Sequence, residues 1–160
     1  MPLIRGTTRY REIERQLDPL LKALVAGRPF RRGTMPAVPA VAGVYLFSEE
    51  RNHRYVGRTR NANRRLCEHT RPSSPENSAP FAFNIARRDA AAAGLEVDGP
   101  RKAISARADF EPYFIAAKER VRAMDFRVVE IDDAAVSTIF EVYASIVLGT
   151  EGDYNLFETH

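Results

Sequence analysis

Two short runs, Gly43-Val44-Tyr45 and Tyr55-Val56-Gly57, constrain this chain more than any other feature. Each sets a β-branched valine beside a tyrosine, a composition that favours extended backbone, and each is closed on its outer side by glycine. The charged stretch at residues 48–53 lies between them, so residues 44–47 and 54–57 read as two strands of an antiparallel hairpin. Gly43 and Gly57 are structural positions, because glycine permits positive φ or close approach by a ligand or backbone. Tyr45 and Tyr55 fall on opposing strands, where the default role is a packing aromatic with a polar tip.

Arginine crowds the second run and the residues after it. Residues 51–71 hold Arg51, Arg54, Arg58, Arg60, Arg64, Arg65 and Arg71 against one acid, Glu68. The formal net charge of +3 hides this: residues 1–75 carry 15 Lys/Arg and 6 Asp/Glu, a balance of +9, whereas residues 76–160 carry 9 and 15, or −6. A single-sign cluster makes a local positive field and reads as a polyanion footprint, nucleic acid ahead of a merely solvated surface. The alternative is a general bias toward arginine, which makes up 21 of the 24 basic residues; that accounts for the choice of arginine over lysine but not for the clustering.

At 160 residues the chain reads as one compact domain able to bury a core without staples. Residues 1–40 read as an N-terminal helical extension and linker, and 41–160 as the domain that carries the motifs. The single cysteine, Cys67, excludes an internal disulfide and a multi-cysteine zinc site. No stretch approaches the ~18 apolar residues of a membrane span. Charged residues such as Arg5, Arg9 and Glu12 occupy the place of a signal peptide's apolar region. A cytoplasmic protein with no membrane partner is the expectation.

Along the chain, Ile13, Leu17, Leu20, Leu21 and Leu24 form a helical stripe over residues 8–26. Asp18-Pro19 predicts a kink, or two helices with Asp18 capping the second. A proline-rich connector spans residues 28–40. Asn61 is placed to cap a helix over 62–70, with Ala62 and Leu66 inward and Arg65 and His69 one turn apart. Residues 71–79 read as a loop. Residues 80–93 read as a helix with Phe81, Ala82, Ile85 and Ala86 inward and Asp89 inside the same arc, ended by Gly94. Residues 95–108 read as irregular. Asp109 is placed to cap a helix over 110–123 that buries Phe114, Ala117 and Val121. Residues 126–131 read as a third strand. Asp132-Asp133 open a helix over 134–148 with a core face of Val136, Ile139, Phe140, Tyr143, Ile146 and Val147. The fold class is α+β, a small three-stranded sheet flanked by helices.

Glu141 is the only charged residue in that last helix and shares a face with Ser137, Thr138 and Ser145. It reads either as a solvated carboxylate or as the one protein ligand of a magnesium ion, which keeps most of its waters. Arg65 and His69 read either as surface decoration or as a phosphate-binding guanidinium beside an imidazole able to move a proton near neutral pH. Tyrosine titrates near pH ~10, so either tyrosine acts as a base only with cationic help, which the arginines supply.

Taken together, the order Gly43-Val44-Tyr45, Tyr55-Val56-Gly57, Arg65, His69, Glu141, Asn155 resembles the GIY-YIG nuclease family. The spacings that carry the likeness are ten positions from Tyr45 to Tyr55, eight from Gly57 to Arg65 and four from Arg65 to His69. Arginine and histidine on one helical turn are most similar to the restriction-type members. The resemblance implies a ββααβα core preceded by the N-terminal helical segment, and a small, stand-alone, Mg²⁺-dependent DNA endonuclease with Mn²⁺ as a substitute ion. It implies that Glu141 holds the metal and that Tyr45 acts as base or orients the water, with His69 relaying the proton. It further implies that Arg65 neutralises charge on phosphorus, Tyr55 contacts the scissile phosphate and Asn155 buttresses the site.

Arg58, Arg60 and Arg64 are then nucleic-acid-binding residues, while Arg51 and Arg54 solvate the hairpin. Cleavage of both strands implies a homodimer or two sequential events. Two positions depart from the family pattern. Arg58 stands where many members have lysine or serine, and Glu76-Asn77-Ser78 stands where many have a histidine. The tail Glu158-Thr159-His160 is given no role. The alternative is a non-cleaving nucleic-acid-binding module that retains the nuclease fold, and a third reading is a plain α+β interaction protein.

Overall fold

The computed structural model describes residues 5–156, so His160 lies outside the described residues. Strands β1 (Gly43–Glu49), β2 (Asn52–Thr59) and β3 (Asp125–Glu130) form one antiparallel sheet in the order β2-β1-β3. The hairpin is longer than the aromatic runs alone suggest: it pairs out to Glu49 and Asn52 and turns through Glu50 at φ 55°, with an irregularity between Phe47 and Ser48.

Alternation on the central strand divides the molecule. Tyr45 and Phe47 point to one face, where they join Phe126, Ala62, Leu66, Phe81, Phe114 and Val121 in a buried cluster. That face is covered by helices α2 (Ala62–Thr70), α3 (Pro80–Ala92) and α5 (Glu111–Arg122). Val44 and Leu46 point to the other face, with Val56, Ile13, Leu17, Leu21, Leu24, Val136 and Phe140. Helices α1 (Thr7–Ala26) and α6 (Ala134–Val147) cover that side. β1 is therefore buried on both faces, each large side chain contributing about 2–3 kcal/mol of transfer free energy. Phe30, in the connector, exchanges backbone hydrogen bonds of 2.8 Å with Phe126 along the outer edge of β3.

Several local expectations are corrected. Of the two readings at Asp18-Pro19, the pair of helices is overturned: α1 continues through Pro19 as one helix, with Ile13, Leu17, Leu21 and Leu24 buried on both sides of the lost hydrogen bond. Residues 95–108 contain a short helix, α4 (Arg101–Ser105), seated by buried Ile104. Asp109 does not cap α5: its carboxylate takes two bonds from Arg107, and Phe110 stands at the helix start. In α6, Ile146 and Val147 are exposed at 56% and 52%, whereas the small residues Ser137, Ala144 and Ser145 are buried. Small side chains let that polar face of α6 approach β2 closely, which turns Glu141 toward the sheet edge. In α3, Asp89 is exposed and Phe83 is fully buried.

Asn61 caps α2 as its position predicts, its side chain accepting from Arg64 N at 2.9 Å. Asp133 likewise caps α6 by accepting from Ala135 and Val136. These two caps fix the starts of the helices that bring Arg65, His69 and Glu141 to the sheet.

Candidate active site

The candidate residues gather around β2, one of the two edge strands of the sheet. Its register with β1 places Tyr55 opposite Phe47 and Gly57 opposite Tyr45, on the face covered by α2 and α3. Arg58 pairs with Val44 and points to the α6 face. One short strand therefore presents a tyrosine to one side of the sheet edge and an arginine to the other.

On the first side, Tyr45 Oη lies 2.7 Å from His69 Nε2, and Arg65 Nε donates to the same oxygen at 3.2 Å. Arg65 Nη1 donates to Glu68 Oε2 at 3.0 Å and to the Ser78 carbonyl at 3.2 Å. Tyr45 and His69 have no exposed surface. Burial, reinforced by the neighbouring Tyr55 phenol, holds the Tyr45 hydroxyl far above its ordinary range, while Arg65 pulls the other way. Burial, and then the charge of Arg65, holds His69 well below 6.5. The pair is thus a neutral phenol and a neutral imidazole. The phenol oxygen accepts from Arg65 and has a second lone pair as well as its proton, so the direction of its bond to His69 Nε2 follows the imidazole tautomer. His69 Nδ1 is buried with no partner among the described residues. Burial works against the Arg65 charge, yet the two tyrosines and Glu68 keep the guanidinium firmly protonated.

Gly57 makes this arrangement possible. A Cβ at position 57 would lie 2.2 Å from Tyr45 Oη and 2.3 Å from Cζ, so the phenol occupies the space a side chain would fill. Gly43 has a different reason: a Cβ there would lie 1.9 Å from the Val129 carbonyl oxygen, in the pairing of β1 with β3.

On the second side, Arg58 Nε donates to Glu141 Oε2 at 2.6 Å and Nη1 donates to Thr138 Oγ1 at 2.8 Å. Burial raises the Glu141 carboxyl above its usual 4.5, and Arg58 partly offsets this. Tyr55 and Glu141 line one cleft together with Arg58 and Asn155. The Tyr55 ring stacks on Phe81, 4.7 Å between centroids at 11°. Burial raises its phenol as well. Asn155 is buried and bonds Val56 twice: Oδ1 accepts from Val56 N at 2.8 Å, and Nδ2 donates to Val56 O at 2.6 Å. Those backbone groups point away from β1, so the amide closes the edge strand as a further strand would.

A second cleft adjoins the first through Arg58 and is lined by Arg60, Arg64 and Arg65. Arg64 is largely exposed, with Glu68 as its only ion-pair partner among the described residues. Arg54 is half-buried and pairs with Glu49, and Arg51 is exposed at the turn. Four contributors carried no assignment in the sequence: Thr138 and Glu68, which hold Arg58 and Arg65, the Ser78 carbonyl, and Arg101 on the wall of the Glu141 cleft. Glu68 was legible as the lone acid in the arginine run, and Thr138 as a neighbour on the Glu141 face. Nothing in the local sequence marks Ser78 or Arg101.

No curated protein and no solved structure matches the chain. The family model described as the GIY-YIG catalytic domain matches residues 41–124, which include the hairpin, α2 with Arg65 and His69, and the helices packed beneath them. The three-stranded antiparallel sheet, its two glycines fitted against Tyr45 and Val129, and the motif match together establish that the chain belongs to the GIY-YIG family of nucleases.

Proposed function

We propose that the protein is an endonuclease that hydrolyses phosphodiester bonds in DNA with one divalent ion, Mg²⁺ or Mn²⁺ in its place, held by Glu141. The observation that carries this reading is the convergence at one sheet edge of a half-buried carboxylate, an inward arginine and a hydrogen-bonded tyrosine–histidine pair.

The residues fit such an ion. Glu141 offers one hard carboxylate whose Oε2 already holds a cationic group, the Arg58 guanidinium, and whose Oε1 has no hydrogen-bond partner among the described residues. No group of three or more His, Cys, Asp or Glu converges among the described residues. A single oxygen ligand suits magnesium, which retains its waters and binds substrate phosphate, and does not suit zinc. When bound, the ion supplies charge neutralisation and polarisation of a phosphoryl oxygen.

The chain's own groups do the rest. Arg65 engages Tyr45, Glu68 and Ser78 through Nε and Nη1, which leaves Nη2 for a phosphate oxygen and stabilises charge developing on phosphorus. With substrate bound, the Tyr45 hydroxyl, which has no exposed surface in the free protein, takes the proton of the attacking water or orients that water, and His69, hydrogen-bonded to it, relays the proton. Tyr55, on the cleft wall, contacts the scissile phosphate. Asn155 holds the Tyr55-Val56-Gly57 backbone in register. Arg58, Arg60 and Arg64 track neighbouring phosphates.

The test is plasmid nicking in Mg²⁺ by wild type, Glu141→Ala and Arg65→Ala, with losses of about 10²–10³-fold expected for each variant. Equal activity in all three overturns the reading. The guanidinium seated on Glu141 favours one rival, a fold that binds nucleic acid without cutting it. Salt-dependent binding with no metal-dependent nicking by the wild type supports that rival.

A further inference from the structure

Arg101 opens α4 and reaches the cleft that Tyr55 and Glu141 line. Its guanidinium lies over the Phe83 ring at 5.4 Å from the centroid, and Nη2 makes a long bond of 3.4 Å to Asn84 Oδ1. Of the other arginines around the site, Arg58 pairs with Glu141, Arg64 and Arg65 share the one carboxylate of Glu68, and Arg88 pairs with Asp153; Arg60, in the adjoining cleft, has no carboxylate partner among the described residues. Among the described residues Arg101 has no such carboxylate partner. Covering Phe83 needs only the aliphatic stem of an arginine or a lysine. It does not explain a guanidinium on the cleft wall whose Nε and Nη1 lack hydrogen-bond partners among the described residues. A planar cation already held on a ring face has little freedom left for binding to remove, and its fork matches a phosphate.

We propose that Arg101 binds the backbone phosphate next to the scissile one, so that the Tyr55–Glu141 cleft holds two consecutive phosphates, one of them through α4. This rests on the nuclease reading and adds to it a substrate-binding residue from a helix outside the motif elements. It also assigns a role to α4: the short helix brings to the cleft a second arginine beside Arg58 of β2, and one that no carboxylate pairs among the described residues.

The proposal is tested with an oligonucleotide that the wild type cuts in Mg²⁺ and a series in which each phosphate flanking the cut is replaced by neutral methylphosphonate. One adjacent position is expected to slow the wild type about 10- to 100-fold, mainly through KM. Arg101→Gln is expected to show the same loss on the unmodified strand and no further loss at that position, because both changes remove one contact. Arg101→Lys keeps the stem and charge and falls between them, and it stands in for the test if Arg101→Gln does not fold. In metal-free buffer, the salt slope of duplex binding by Arg101→Gln is expected to be shallower by about 0.9. Wild-type kcat/KM and slope in Arg101→Gln, or losses that multiply at every position, overturn this inference while wild-type cleavage leaves the nuclease reading standing. A wild type that cuts no nucleic acid overturns both.

Discussion

Arg58 and Glu141 meet across the cleft wall, with Arg58 Nε 2.6 Å from Glu141 Oε2 and its Nη1 on Thr138 Oγ1 at 2.8 Å. A guanidinium and a divalent ion cannot both take that carboxylate oxygen at full strength. Arg58 thus occupies one oxygen of the proposed metal ligand. Its side chain is 47% exposed, so the pair is solvent-screened and worth about 0.2–1 kcal/mol. Arg58→Ala is therefore expected to tighten Mn²⁺ binding in the absence of nucleic acid by roughly two- to fivefold, read by titration calorimetry or the free-ion EPR signal. The same variant is expected to weaken DNA binding and flatten its salt dependence. Unchanged or weaker Mn²⁺ binding would show that the two cations do not compete.

His69 makes fold stability depend on pH. Its imidazole is wholly buried, and burial together with Arg65 keeps its folded pKa well below 6.5. The unfolded chain takes up a proton near 6.5 while the folded chain does not. Stability is therefore full above pH 6.5 and declines as pH falls from there toward the lower folded pKa, by at most about 1.4 kcal/mol per pH unit. His53, half-buried and also lowered by burial and Arg127, acts in the same direction. The informative comparison is urea unfolding of wild type and His69→Gln across this window, where the variant is expected to lose most of the slope. Parallel profiles would assign the pH dependence elsewhere.

What was legible depends on where each constraint lies. Local patterns carried the hairpin, the Asn61 cap and the Arg65–His69 turn, because each is decided within a few residues. The two-helix reading at Pro19 fails because the missing hydrogen bond is a local cost, whereas the stripe from Ile13 to Leu24 is anchored by the sheet. The inward face of α6 misled for a related reason. Apolar periodicity selects Ile146 and Val147, yet close packing on β2 selects Ser137, Ala144 and Ser145. That inversion puts Glu141 against Arg58, a contact across 83 positions that no local signal marks. Arg101 escaped notice because α4 is too short to show periodicity.

Gly57 carries a steric prediction. The Tyr45 ring that fills the space beside it is stacked on Phe126 at 5.2 Å and meets His69 edge-on at 5.5 Å, so it cannot swing clear. Gly57→Ala must displace the phenol from both His69 and Arg65. A stability loss of about 1–3 kcal/mol is expected from the overpacking, with nicking reduced to the level of Tyr45→Phe. Gly43→Ala meets backbone in place of a side chain, and its cost is expected to fall on β1–β3 pairing and stability. A Gly57→Ala protein with wild-type nicking would mean that the Tyr45 hydroxyl position is not needed.

Asn155 offers the sharpest test of how the edge strand is held. Its amide satisfies both the N–H and the C=O of Val56, 99 positions away, at 2.8 and 2.6 Å, in a buried setting. Asn155→Ala leaves both backbone groups without these partners, at about 1–3 kcal/mol for each that water cannot reach, and lowers the melting temperature by roughly 5–10 °C in a domain of this size. Asn155→Asp keeps an acceptor for Val56 N–H but turns a second oxygen toward the Val56 carbonyl, so it is expected to recover only part of the loss. Hydrogen exchange at the Val56 amide reads the clamp directly: protection is expected to fall in Asn155→Ala and to be retained largely in Asn155→Asp. Because Val56 lies between Tyr55 and Gly57, nicking is expected to follow the amide protection from variant to variant; full protection in Asn155→Ala would sink the clamp.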